Sequence, residues 1–192
     1  MEIKDGGILI IASPRSGSSN LLSSIGSAYN KKTRFEYDII RKRPYYNPNK
    51  DVLKCIPVWE RDPPTIFDGF LYDKLLESAR EFNTIILLDR KDKLKQLESY
   101  YVLRCINEGN HLKKWGREQI NRDSEHYKFF ERYINSFTDF FEKISNDLNL
   151  PIDYHEDVYK NKSLTNKNIK LDLKYFESNY KLRQPTIERK LL

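Results

Sequence analysis

Two stretches of the chain concentrate side chains able to hold an anion. The first, "SPRSGSSNL" (Ser13 to Leu21), follows an apolar run and sets Arg15 among Ser16, Gly17, Ser18 and Ser19. Arginine supplies a permanent charge and a planar fork of donors suited to oxyanions, the serine hydroxyls add donors, and glycine lets the backbone approach closely. Where such a loop opens a helix, the first amides lack intrahelical partners and carry partial positive charge, so a phosphate group can be cradled there. The second stretch, "DRKDKLKQLESYY" (Asp89 to Tyr101), follows another apolar run. Arg90 and Lys91 stand at its start, and Ser99 lies about two turns along the helix that begins there. A plain strand-to-helix turn with a serine cap needs fewer of these groups than the first stretch offers.

The loop departs from the magnesium-nucleotide pattern Gly-x-x-x-x-Gly-Lys-Ser/Thr. That pattern would need glycine at Ala12 and lysine at Ser18; Gly17 and Ser19 fit, but the lysine that carries charge to the terminal phosphates is missing. Magnesium would fall to Asp89, at the end of "IILLD". A nucleotide-dependent kinase is therefore disfavoured and stands as an alternative, beside a non-catalytic nucleotide- or RNA-binding module.

The elements that must position these loops follow from periodicity. Gly7 to Ala12 predicts a short central parallel strand, buried on both faces. Ser18 or Ser19 can cap a helix to about Tyr29, with Leu21, Leu22 and Ile25 on its buried side. Thr33 to Ile39 and Val52 to Val58 read as strands, the proline-broken "RKRPYYNPNK" as loop, and Asp68 to Phe82 as an amphipathic helix. Thr84 to Asp89 is a second buried strand, and Asp92 to about Ile106 a helix with Leu94, Leu97 and Tyr101 on one side. From Ser124 to Leu148 the positions Phe130, Tyr133, Ile134, Phe137, Phe141, Ile144 and Leu148 recur at helical spacing, an aromatic stripe expected in the core. "PIDYHEDV" offers a short strand and "KNKSLTNKNIK" a loop. Alternating strands and helices predict an α/β fold with an open, mainly parallel sheet flanked by helices, its ligands beyond the carboxyl ends of the strands.

The 192 residues suit a single domain over residues 1–192. With 39% hydrophobic and 32% charged residues, the chain has the composition of a soluble globular protein. The start, with Glu2, Lys4 and Asp5, lacks the layout of a signal peptide, and Ile8 to Ile11 is too short to span a bilayer; a cytoplasmic protein is expected. Cys55 and Cys105 match no metal or redox spacing, and the 3 histidines are scattered, so reduced thiols and no protein-ligated metal are expected. A net charge of +6 points to an anionic partner of unspecified kind.

The two blocks together resemble the sulfotransferases that use 3′-phosphoadenosine-5′-phosphosulfate (PAPS), above all the bacterial carbohydrate types that carry Pro-Arg-Ser-Gly-Ser/Thr. The second block is similar to the family's Arg-x-Asp-Lys-Leu-x-Gln-x-x-Ser, matched by Arg90, Asp92, Lys93, Leu94, Gln96 and Ser99. A third block, "YHEDV", looks like the family's Tyr-Glu-Asp-Leu, with Tyr154 or His155 in place of the tyrosine. The resemblance implies a P-loop-NTPase-like sulfotransferase fold, with PAPS as donor, 3′-phosphoadenosine-5′-phosphate (PAP) as product and no metal required. It implies that Arg15, Ser16, Gly17, Ser18, Ser19 and Asn20 hold the 5′ end and that Arg90 and Ser99 hold the 3′-phosphate. Lys91 competes with Arg90, because the spacing to Ser99 varies by one residue among branches of the family.

In such an enzyme Arg15 would stabilise charge on the bridging oxygen, and a base would take the acceptor's proton. Glu36 in "TRFEYDI" is the candidate, placed like the glutamate of trehalose-type sulfotransferases, with Asp38 and His111 as alternatives. Trp59 and Trp115 could stack on a sugar ring. Lys181, Arg183, Arg189 and Lys190 lie where family members close basic residues over the 3′-phosphate, and a solvated basic terminus is the competing reading. The expected partner is a carbohydrate or small-molecule acceptor, nucleic acid is disfavoured, no membrane is involved, and a homo-oligomer is compatible with so short a chain.

Overall fold

The computed structural model describes residues 6–34, 45–59, 65–66, 69–107 and 120–159. Its centre is a 5-stranded, wholly parallel sheet in the order β2-β3-β1-β6-β7. The strands are β1 (Ile8–Ala12), β2 (Thr33–Arg34), β3 (Val52–Cys55), β6 (Thr84–Asp89) and β7 (Ile152–Tyr154). A separate antiparallel pair joins β4 (Val58–Trp59) to β5 (Thr65–Ile66).

The sequence "ILIIA" has no polar side because β1 is covered twice. Ile8, Ile10 and Ala12 pack with Leu21, Leu22 and Ile25 of α1 (Ser18–Tyr29), whereas Leu9 and Ile11 join the larger core on the opposite face. Burying each of these isoleucine and leucine side chains contributes about 1.5–3 kcal/mol. The larger core takes its helical side from α2 (Gly69–Ala79), α3 (Lys93–Asn107) and α4 (Glu125–Leu148). Ser124 caps α4 by accepting from Tyr127 N at 3.1 Å, and Asn149, at φ 51°, ends it. The α4 stripe is core: Phe130, Tyr133, Ile134, Phe137, Phe141 and Ile144 are buried, and Leu148 packs against them while partly exposed.

Several expected boundaries change. Val52 to Val58 is not one strand: β3 stops at Cys55, and Val58 starts a pairing with Ile66 instead. Pro57 has no N–H to donate to a ladder, which explains the break. Neither Ser18 nor Ser19 caps α1; the N-cap is Gly17 at φ 81°, and Ser18 is the first helical residue. On α3, Leu97 and Tyr101 are buried but Leu94 is 56% exposed, because Gln96, Leu97, Tyr100 and Tyr101 form the inward face. The chain beyond Arg34 in the expected Thr33 to Ile39 strand lies outside the described residues.

Among the described residues no helix is long and apolar enough to cross a membrane, and no group of three or more His, Cys, Asp or Glu is placed to hold a metal ion.

Candidate functional site

The order of the sheet fixes where a site can form. From β1 the chain passes through α1 to β2, beyond β3; from β6 it passes through α3 and α4 to β7, on the other side. β1 and β6 are neighbours, in register from Ile8↔Thr84 to Ala12↔Leu88. The chain leaves their carboxyl ends in opposite directions along the sheet, which makes this the topological switch point, where open parallel sheets bind their ligands. Both donor-rich stretches singled out in the sequence sit there.

The first loop is held in an uncommon shape. Arg15 has φ 59° and Gly17 φ 81°. A positive φ is costly for arginine, and such strain persists only where the surroundings enforce it. Here they do: Gln96, fully buried on α3, donates from Nε2 to Ser13 Oγ (2.7 Å) and to the Pro14 carbonyl (2.6 Å). The glutamine of the second block thus clamps the first. Beyond Gly17, the amides of Ser18 and Ser19 begin α1 and have no intrahelical acceptor. Ser16 is buried, and its Oγ finds no hydrogen-bond partner among the described residues. Asn20 is exposed; its backbone N–H donates to the Gly17 carbonyl at 3.0 Å.

The second loop meets the first. Arg15 Nε donates to Ser99 Oγ at 2.8 Å across 84 residues of sequence, and Arg90 reaches the Arg15 carbonyl from Nη1 at 3.4 Å. Arg15, Arg90 and Ser99 therefore form one cluster. Among the described residues no carboxylate pairs with Arg15, whose Nε is its bonded atom. Partial burial, and then the positive charge of Arg90, push the Arg15 pKa down; an arginine so displaced is still a cation. The two arginines lie close enough for the charge of Arg90 to act on Arg15, which concentrates positive charge beside a helix N-terminus.

Other charges of the second block are matched. Lys93 Nζ lies 2.8 and 2.6 Å from the two oxygens of buried Asp89. Asp92 caps α3 by accepting from Lys95 N at 2.9 Å, and its other oxygen pairs with Lys95 Nζ at 2.7 Å. Lys91 Nζ pairs with Asp157 at 2.8 Å. Arg90 is buried, with Nε 3.5 Å from Glu156 in an ionic contact.

One residue escaped the sequence reading. Lys54 lies on β3, is 2% exposed, and donates from Nζ to Ser19 Oγ at 3.0 Å. A buried lysine is costly unless its charge has a use or a partner; its signal in the sequence was the single cation inside "VLKC". Lys54 adds a positive charge behind the first turn of α1.

The third block supports both loops. In it His155, not Tyr154, approaches the first loop, with Nδ1 2.9 Å from the Ser16 carbonyl. Burial pushes the His155 pKa below the ordinary value; the bond to Ser16 opposes that shift and Arg90 adds to it.

Glu36, Asp38, His111, Trp115, Lys181, Arg183, Arg189 and Lys190 lie outside the described residues, as does the side chain of Trp59. Comparison with protein-family models gives no match, and comparison with curated protein sequences gives none either.

Proposed function

We propose that this chain is a PAPS-dependent sulfotransferase with a P-loop-like fold, transferring the sulfuryl group to a hydroxyl of a carbohydrate or small-molecule acceptor. One observation carries the reading: Arg15 meets Ser99 and Arg90 at the switch point, and no described carboxylate neutralises Arg15. PAPS carries a phosphosulfate at one end and a separate phosphate at the other, and the two blocks offer one cationic loop to each. The central strand, with its small-residue loop opening α1, supports the P-loop-like assignment.

In the reaction the acceptor oxygen bonds to sulfur as the bond from sulfur to the bridging oxygen breaks. Sulfated acceptor and PAP result, and the acceptor's proton passes to a base. Arg15 and the first amides of α1 stabilise charge on the leaving oxygen, while Lys54 supports the same turn through Ser19. Arg90 and Ser99 take the 3′-phosphate. Glu36 is the assigned base, with Asp38 and His111 as alternatives. In the kinase alternative Asp89 would hold magnesium; both its oxygens already receive Lys93, which favours the sulfuryl reading.

Calorimetric titration with PAP and with ADP, each repeated on Arg90→Ala, tests the reading. Preference for PAP that vanishes in the variant supports it. Equal binding of the two, or tighter ADP binding that needs magnesium, overturns it.

A further inference from the structure

The two anion-holding loops belong to different strands, so something must fix their separation. Gln96 does part of this from α3. The Arg15 contacts with Ser99 and Arg90 add to it, and a further part falls to a short segment at the end of β7, α5 (His155–Val158) and the tyrosine after it.

On one side this segment holds carbonyls of the first loop. His155 Nδ1 engages the Ser16 carbonyl at 2.9 Å, and Tyr159 donates from its hydroxyl to the Gly17 carbonyl at 3.1 Å. The two rings pack together with centroids 4.7 Å apart. With its carbonyls turned into this support, the loop has its following amides left for a ligand. Contact is close enough that a Cβ on Gly17 would lie 2.5 Å from His155 Nδ1.

On the other side the same segment holds the second loop. Glu156 accepts from Lys91 N at 3.0 Å through one carboxylate oxygen and from Asp92 N at 3.2 Å through the other, and it faces Arg90. Asp157 takes Lys91. Adjacent residues, His155 and Glu156, thus bind opposite loops through groups of fixed geometry.

We propose that His155, Glu156 and Tyr159 are positioning residues that hold the two loops at the spacing of a doubly anionic nucleotide, so that each loop's affinity depends on the other. This inference rests on the PAPS reading of the two loops. It assigns the selectivity for two anionic groups over one partly to residues that touch neither.

The test measures how much the 3′-phosphate adds to binding: the ratio of affinities for PAP and AMP, by calorimetry on the full chain. Tyr159→Phe and His155→Ala remove bonds to the Gly17 and Ser16 carbonyls of the first loop and leave the side chains of Arg90 and Ser99 unaltered. Both are expected to lower that ratio, His155→Ala by about tenfold, as for a coupling between sites. His155→Asn, whose amide can donate to the Ser16 carbonyl, is expected to restore most of it. Thermal melting of each variant identifies any that does not fold, in which case Tyr159→Phe decides. If PAP and AMP weaken by the same factor in the folded variants, the inference is overturned while the PAPS reading stands. If the unaltered chain gains nothing from the 3′-phosphate, the PAPS reading fails and the inference with it.

Discussion

The loops after β1 and β6 are both rich in donors, but their charge is arranged in opposite ways. After β6, Lys91, Lys93 and Lys95 each face an aspartate, and Arg90 faces Glu156. After β1 there is one cation, Arg15, with a serine and no described carboxylate beside it. The loop poorer in charge is therefore the one whose cation has no described carboxylate, while in the second loop Arg90, 3.5 Å from Glu156, is less closely paired than the three lysines. Charge within a motif marks a site only after the partners supplied by the fold are subtracted, because a paired lysine offers an incoming anion little net field. Backbone shape follows the same division, since both positive φ values of the switch point, at Arg15 and Gly17, belong to the first loop.

Removing the unmatched charge should break this contrast most. Arg15→Ala is expected to lower kcat for sulfuryl transfer by about 10²–10³, the usual loss when one preorganised donor to a developing oxyanion is deleted. Melting temperature should hardly move, because Arg15 is exposed and its side chain anchors only Ser99. Full activity in Arg15→Ala would remove the first loop from the chemistry.

Next in size is Gly17→Ala. At φ 81° an alanine is strained, and its Cβ would press on the imidazole of His155. A loss of about 1–3 kcal/mol in stability is expected from strain of this kind. PAP binding should weaken beside it, and denaturant unfolding together with calorimetry separates the two effects. Gly26 serves as the control: a Cβ there would strike Thr33, far from the switch point, so stability should fall without a specific loss of PAP affinity.

A smaller effect concerns pH. His155 is buried and its pKa lies below the ordinary histidine value. In the unfolded chain it protonates at about pH 6.5. Between the two values the unfolded chain binds the extra proton, so stability complete above about pH 6.5 declines as pH falls toward the folded pKa. Melting temperature should therefore drop from about pH 7.5 to about pH 5 more steeply in the unaltered chain than in His155→Asn. Parallel curves would show that His155 does not set this slope.

Much of the scaffold was legible because its signals are local. Thr84 to Asp89 is a strand with the expected bounds, and the α4 stripe announces a buried helical face. Leu94 misled because it sits near the α3 N-terminus, where helical spacing alone gives no account of where the core ends. The serines of "SGSS" suggested a cap, but the tight turn assigns that position to glycine. What remained hidden is pairing at long range. No sequence pattern shows that Lys54 reaches Ser19, that Gln96 clamps Ser13, or that His155 and Glu156 divide their bonds between two loops. These contacts depend on strand order, which short motifs do not encode.

The contrast is sharpest between neighbours, Arg90 and Lys91, which compete in the sequence for the role of 3′-phosphate ligand. Lys91 points along the third block: its ammonium sits 2.8 Å from Asp157 and 5.2 Å from the centre of the Tyr154 ring. Its hydrogen bond to Asp157 raises its pKa, as expected for a cation already in the company it prefers. Arg90 instead points back toward the Arg15 carbonyl. A phosphate near Ser99 would sit beside Arg15, whose carbonyl Arg90 contacts, whereas drawing Lys91 toward it would mean breaking the Asp157 pair. Lys91→Ala is thus expected to change PAP affinity by less than about twofold, within the range of exposed ion pairs. Arg90→Ala should abolish the preference for PAP over ADP. If the lysine variant lost as much as the arginine variant, the phosphate would have to lie on the outer side of the second loop, and the region beyond the carboxyl ends of β1 and β6 would not be where the 3′ end binds.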